Sequence, residues 1–336
     1  MSLSLGVGLT NACDLACAHC YRDTGHIDQL SLEQVASACE CLPVRSVNLG
    51  TGENGLHPNY AEIVSVLAAR GVKLSLTSNG YTIEHSSDET LGAFREVEVS
   101  IDFPTEAEQD AFRGRGNWQR VMAAIGRAQG LGVTVTILTV MMKPNFRRLP
   151  AIAKVAFAAG ANYRVNVYQP VKTDAFTLTY EEFWDGFRRL LSEARLVSTT
   201  EPILNAMLGE PFKNGSGCGR QTVRITPKGD IIPCVYWTKS DLRLEDVVAQ
   251  GDAESVLASP QFVRVRQVPD VCRSCPFVAT CHGGCAGRRE LAGSVELADP
   301  YCPLIQGERV ELEWAPAAAR ELLKTGSACT TVLAPA

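Results

Sequence analysis

Residues 13–20 read Cys13-Asp-Leu-Ala-Cys17-Ala-His-Cys20, a C-x3-C-x2-C spacing that follows an apolar, strand-like run from Leu3 to Leu9. Three thiolates can hold three corners of a cubane [4Fe–4S] cluster and leave the fourth iron open to an outside ligand. A structural zinc site would normally be closed by a fourth protein ligand. A set of three therefore points to a cluster that binds a substrate or cofactor. The plainer alternative is three incidental core cysteines.

Outward from this stretch, strand and helix signals alternate. After Leu3–Leu9, Ser31 and Gln34 form a capping-box pattern that starts a helix running to about Cys41, before Pro43. Strands are expected at Val44–Leu49, Val72–Thr77, Val97–Ile101, Val133–Val140 and Tyr163–Tyr168. Helices are expected at Asn59–Arg70, from Trp118 to about Gly130, and at Leu149–Ala159. This alternation predicts an α/β fold with a parallel sheet and right-handed crossovers. Six units fall short of a closed eight-unit barrel, so a partial (β/α)6 TIM-like barrel is expected, with its chemistry at the C-terminal strand ends.

The three cysteines resemble those of the radical S-adenosylmethionine (SAM) superfamily, in which the open iron binds the amino and carboxylate groups of SAM. Other strand ends extend the resemblance. Gly50-Thr51-Gly52-Glu53-Asn54-Gly55 follows the second strand, where the superfamily carries Gly-Gly-Glu-Pro against the methionyl ammonium. Thr51 and Asn54 depart from that pattern. Ser100-Ile-Asp102, then Arg113-Gly114, resembles the superfamily's Ser-x-Asp…Arg-Gly. The resemblance implies cofactor contacts by His19, Gly52, Glu53, Ser100 and Arg113, with Ser100 on the ribose and Arg113 on the SAM carboxylate. Taken alone, the glycine loop is an ordinary turn and Arg113 a surface residue. Asn79 and Asn166 also fall near strand ends.

A second cysteine series occupies the last third: Cys218 and Cys234, then Cys272, Cys275, Cys281 and Cys285 at C-x2-C-x5-C-x3-C, then Cys302. Thr226-Pro-Lys-Gly-Asp-Ile-Ile-Pro-Cys234 reads as part of a β-hairpin. These spacings resemble the SPASM extension, a small module with two auxiliary iron–sulfur clusters, and Cys281-His-Gly-Gly-Cys285 matches its core. The resemblance implies one cluster on Cys272, Cys275, Cys281 and Cys302. The nearer one would use Cys218, Cys234 and Cys285, its fourth ligand unassigned. With Cys13, Cys17 and Cys20, that makes three [4Fe–4S] clusters. Zinc is the alternative for four-cysteine sites. Cys39 and Cys41 read as core residues and Cys329 as incidental. The expected organisation is a barrel at 1–205, a SPASM module at 206–310 and a tail at 311–336. The tail would hold a short helix to about Lys324 and a loose end. Thr179–Ala194 reads as an amphipathic packing bridge.

Composition narrows the setting. The chain has 336 residues, 46% of them hydrophobic, and a net charge of −5, so neither disorder nor a nucleic-acid footprint is indicated. Thirteen cysteines, an odd number, with no secretory signal, argue against a disulfide framework. No apolar run is long enough to span a bilayer. A cytoplasmic enzyme is expected, with no membrane partner.

The resemblance implies reductive SAM cleavage to a 5′-deoxyadenosyl radical, hydrogen abstraction from an unactivated C–H, and oxidation of the substrate radical through auxiliary clusters. An external donor such as flavodoxin or ferredoxin would supply the electron. Many SPASM enzymes modify peptides. Because the first strand starts at Leu3, a separate peptide-recognition protein is expected, or else a small substrate such as a sugar acid or nucleoside that is dehydrogenated or decarboxylated. Val235 follows Cys234 where sulfatase-maturating relatives carry an aspartate base, which argues against that activity. A non-catalytic metal-binding or electron-transfer protein is the remaining alternative.

Overall fold

The computed structural model describes residues 2–209, 217–250, 253–318 and 328–336. Six parallel strands form its centre: β1 (Leu3–Val7), β2 (Val44–Leu49), β3 (Lys73–Ser78), β4 (Glu96–Ser100), β5 (Thr134–Met141) and β6 (Asn162–Val167). They lie side by side in chain order. Each crossover carries helix: α1 (Leu32–Cys41), α2 (Tyr60–Ala69), α3 (Tyr81–His85) with α4 (Asp88–Gly92), α5 (Glu106–Arg113) with α6 (Asn117–Gly130), and α7 (Leu149–Ala158). The expected capping box at Ser31 is formed in both directions. Gly52 takes a left-handed φ of +60°, and a Cβ there would sit 2.5 Å from the Thr10 and Ala12 carbonyls, so only glycine fits.

The amphipathic helix α8 (Tyr180–Glu193) follows, again with a complete capping box, at Thr179 and Glu182. Phe183, Trp184 and Phe187 are buried. The Trp184 indole donates to the Tyr301 carbonyl (3.1 Å), and Phe183 stacks on the Tyr301 ring with centroids 4.3 Å apart. The helix thus joins the barrel to the cysteine-rich region. Strand β7 (Ala194–Thr199) and helix α9 (Pro202–Leu208) come next.

Both edges of the sheet are extended. Beyond β1, the hairpin of β8 (Thr222–Ile225) and β9 (Ile231–Ile232) joins, with β8 parallel to β1 and Gly229 at φ +81° in the turn. Beyond β6 lies β10 (Thr330–Pro335), antiparallel to both β6 and β7. The end of the chain is therefore not loose: Val332, Leu333 and Ala334 are core residues. Most of the short helix expected before Lys324 lies outside the described residues. Among the described residues, no helix is long and apolar enough to cross a membrane.

Candidate active site

The C-terminal ends of the strands surround a cavity of about 210 Å³. Cys13, Cys17 and Cys20 all line it, and so do His19, Gly52, Glu53, Ser100 and Arg113. The cysteine loop is held from several sides. The Cys20 N–H donates to the Cys17 carbonyl (3.0 Å). Arg22 donates to the carbonyls of Asn11 (3.0 Å) and Leu15 (2.6 Å). Asn79 donates to Asp14 Oδ1 (2.7 Å), with its amide nitrogen 3.6 Å from Cys13 Sγ. Burial pushes the Cys13 thiol up to about 11 and raises that of Cys17, so metal binding must displace protons.

The strand-end residues are more tightly engaged with protein than their sequence suggested. The buried Glu53 carboxylate accepts from Ser78 Oγ (2.5 Å), the Asn79 N–H (2.9 Å), the Thr82 N–H (2.9 Å) and Thr82 Oγ1. Only the Asn79 bond falls on Oε2, which leaves that oxygen with acceptor capacity on the cavity wall. Burial raises the Glu53 carboxyl above its ordinary range, opposed by these donors. Arg113 pairs with the buried Asp102 through Nε (2.7 Å) and a terminal nitrogen (2.6 Å); its other terminal nitrogen lies 4.0 Å from Cys17 Sγ. Asp102 also accepts from the Val140 N–H (2.9 Å). His19 stacks on Phe112 at 5.0 Å, and burial lowers its pKa to about 4 against the pull of Asp102, so the imidazole is neutral.

Thr51, where the superfamily pattern has glycine, stands at φ +92°. That conformation is strained for a β-branched residue. It is clamped by Arg224, which donates to the Gly50 carbonyl (2.5 Å) and the Thr51 hydroxyl, and by the Tyr21 hydroxyl at 3.0 Å. Asn54, in place of proline, accepts the Leu9 N–H through Oδ1 (3.1 Å) and fixes the end of β1.

The later cysteines form two groups. Cys272, Cys275, Cys281 and Cys302 lie near one another: beyond the effect of burial, Cys302 and Cys275 add to the rise of the Cys272 thiol, and Cys302 to that of Cys281. Cys218, Cys234, Val235 and Tyr236 pack with Ala286 in a separate cluster of apolar side chains. Cys329, which sequence spacing did not single out, has its thiol in hydrogen-bond contact with those of Cys218 and Cys285. The sulfurs of the two groups are not drawn round one ion: among the described residues no three His, Cys, Asp or Glu side chains form a single-ion site. The Gly-Gly of Cys281-His-Gly-Gly-Cys285 is required by its protein neighbours. A Cβ on Gly283 would lie 2.4 Å from Pro269 Cδ, and one on Gly284 2.4 Å from Asp299. Asp299 accepts the Cys285 N–H (2.8 Å) and pairs with Arg288 (2.6 Å), which also pairs with Glu201 (2.8 Å).

Apart from Val235, sequence reasoning missed the residues that connect the two halves. Val235, Tyr236, Ala328 and Thr330 line the same cavity as the first three cysteines. Tyr21, next to Cys20, meets Tyr236 edge-on at 5.9 Å. His19 Nδ1, Asn166 Oδ1 and Gln169 Oε1 are buried on the cavity wall without a hydrogen-bond partner among the described residues. Unpaired polar atoms around an open set of three thiols fit a bound iron–sulfur cluster with a polar, adenosine-bearing ligand.

Fold and site together define an enzyme of the radical SAM class, and the comparisons agree. The Radical SAM superfamily model matches residues 7–156, and the SPASM model, an iron-sulfur cluster-binding domain, matches residues 217–276. The chain thus carries a radical SAM domain followed by a SPASM iron–sulfur domain. It is 28% identical to the mycofactocin maturase MftC of Mycobacterium tuberculosis (strain CDC 1551 / Oshkosh), over 93% of this chain and 84% of that protein. It is 25% identical to the PqqA peptide cyclase of Gluconobacter oxydans (strain 621H), over 90% of each. Among solved structures, anSMEcpe with bound AdoMet superposes with a TM-score of 0.71 at 16% identity, over 91% of this chain and 95% of that one.

Proposed function

We propose that this chain is a peptide-modifying radical SAM oxidoreductase with three [4Fe–4S] clusters, one on Cys13, Cys17 and Cys20 and two in the SPASM module. Cys13, Cys17 and Cys20 would hold the open cluster, which together with bound SAM would supply radical chemistry able to abstract hydrogen from an unactivated C–H. The carrying observation is that the open cysteine triad lines the same cavity as Val235 and Tyr236, which follow Cys234, and Ala328, which precedes Cys329. A substrate in this cavity would meet residues of both cysteine regions. That arrangement suits a net oxidation, in which the electron left on the substrate has a nearby acceptor.

The protein's own groups position and shield. Glu53 Oε2 is the acceptor for the SAM ammonium. Arg113, held by Asp102, places positive charge beside Cys17 and the carboxylate. Ser100, on the cavity wall, would donate to the ribose. Neutral His19, stacked on Phe112 and met edge-on by Phe176, would offer an uncharged ring and Nδ1 to the adenine. Phe176 and Tyr168 pack edge-on at 5.8 Å beside it and limit water.

A peptide substrate is supported by the relatives: one is named for cyclising the PqqA peptide, and another structure of this fold, Streptococcus suis SuiB, is bound to the precursor peptide SuiA. An external flavodoxin or ferredoxin would supply the electron. The thirteen cysteines are all free thiols, which suits the reducing cytoplasm, where we place the enzyme. The test is anaerobic turnover of short peptides encoded beside the gene, with SAM and a reductant, read by mass spectrometry, with and without a neighbouring peptide-binding protein. A dehydrogenated, decarboxylated or cross-linked peptide is expected. Turnover of a sugar acid or nucleoside, with every peptide unchanged, would overturn the peptide reading.

A further inference from the structure

We propose that Cys329 is the fourth ligand of the auxiliary cluster held by Cys218, Cys234 and Cys285. The proposal rests on the iron–sulfur reading of the C-terminal module and completes it. Three cysteines leave a cubane one ligand short, and residues 219–223, Gly-Arg-Gln-Thr-Val, supply no further thiol.

Topology brings the missing thiol to the site. β10 runs antiparallel to β6, with Thr330 opposite Asn166 near the C-terminal end of β6. The start of β10 therefore lies at the rim where the cavity opens, and Cys329 immediately precedes it. The flanking residues Ala328 and Thr330 line the cavity together with Val235 and Tyr236, which follow Cys234. The backbone is fixed there by Thr200: the Thr330 N–H donates to Thr200 Oγ1 (3.0 Å), and the Thr200 N–H donates to the Thr330 carbonyl (2.8 Å).

Side-chain contacts converge on the same point. The Cys329 thiol touches those of both Cys218 and Cys285. The sulfurs of Cys285 and Cys234 flank Gly287, lying 4.0 and 3.3 Å from where its Cβ would be. Four thiols, two buried and two half-buried, thus come from four separate segments to one place. An oxygen ligand is less suited. The nearby Glu201 carboxylate is already paired with Arg288 at 2.8 Å. Full ligation by cysteine makes this cluster an electron carrier without an open iron, unlike the one on Cys13, Cys17 and Cys20.

The test compares wild type, Cys329→Ala, Cys329→Ser and, as a control, Cys39→Ala after anaerobic reconstitution. Iron and acid-labile sulfide are counted and the reduced clusters examined by EPR. Wild type should hold about twelve irons, and Cys329→Ala should lose about one to four with a changed auxiliary signal. Cys329→Ser, with oxygen in place of sulfur, should shift the midpoint potential of that signal, and Cys39→Ala should match wild type. Wild-type iron and an unchanged spectrum in Cys329→Ala would overturn the proposal. Wild type saturating at about four irons would instead overturn the auxiliary-cluster reading itself, and the proposal with it. Should Cys329→Ala fail to fold, alkylation of wild type decides. Cys329 should react with iodoacetamide faster once a chelator has removed the iron, and an unchanged rate contradicts ligation.

Discussion

At the scale of single residues, the strand-end pattern conceals a division of labour. Ser100, Arg113 and Glu53 carry the resemblance in sequence, yet Arg113 and Glu53 are also structural. Ser100→Ala should therefore weaken SAM binding by about 1–3 kcal/mol, as for a lost buried hydrogen bond, with folding stability little changed; titration calorimetry checks this. Asp102→Asn should act differently. It leaves the mostly buried Arg113 unpaired, which for a buried ion pair costs about 3–5 kcal/mol in stability, measurable by urea unfolding. Equal stability of this variant and wild type would mean that the pair contributes nothing. A third residue reports mainly on burial. Burial pushes the Cys39 thiol on α1 up to about 11 from an ordinary 9.0. The neutral thiol is the form favoured by folding, so its stabilising share is complete below about pH 9 and is lost as pH rises through 11. In the iron-free protein, Cys39→Ala should lose stability less steeply than wild type between those pH values when melting temperatures are compared.

At the scale of elements, β1 to β6 were legible because apolar, β-branched runs alternate with periodic helices, and their observed ends fall within a residue or two of expectation. The capping boxes at Ser31 and Thr179 marked two helix starts for a local reason: each pattern needs only four residues. The short helices α3 to α5 were not read, since five to eight residues carry too little period, although Thr105 and Glu108 marked the start of α5. The larger miss was β10. Thr330-Thr-Val-Leu-Ala has β character, but pairing between strands so far apart in sequence leaves no local mark. Cys329 was overlooked for the same reason, as its partners lie 44 or more positions away in sequence. Leu333, fully buried in this strand, gives the test: Leu333→Ala should cost about 2–5 kcal/mol by urea denaturation. A loss well under 1 kcal/mol would indicate that β10 does not pack as described.

At the scale of the whole molecule, the sheet itself joins the two cysteine regions. β8 pairs with β1, the strand that leads to Cys13, Cys17 and Cys20, so the hairpin leading to Cys234 begins beside the strand that precedes the triad. β10 returns Cys329 from the other edge. Damage to the two regions should then separate by function. Cys272→Ala should retain SAM cleavage but uncouple it from product, because the defect lies in electron removal; the ratio of 5′-deoxyadenosine to product reads this directly. The central claim is that SAM is cleaved at the triad, and it is tested most directly by 5′-deoxyadenosine formation with dithionite. Wild type should form it. The variant with Cys13, Cys17 and Cys20 all changed to alanine should form none while keeping about eight irons in the SPASM module. Undiminished 5′-deoxyadenosine from that variant would contradict the account.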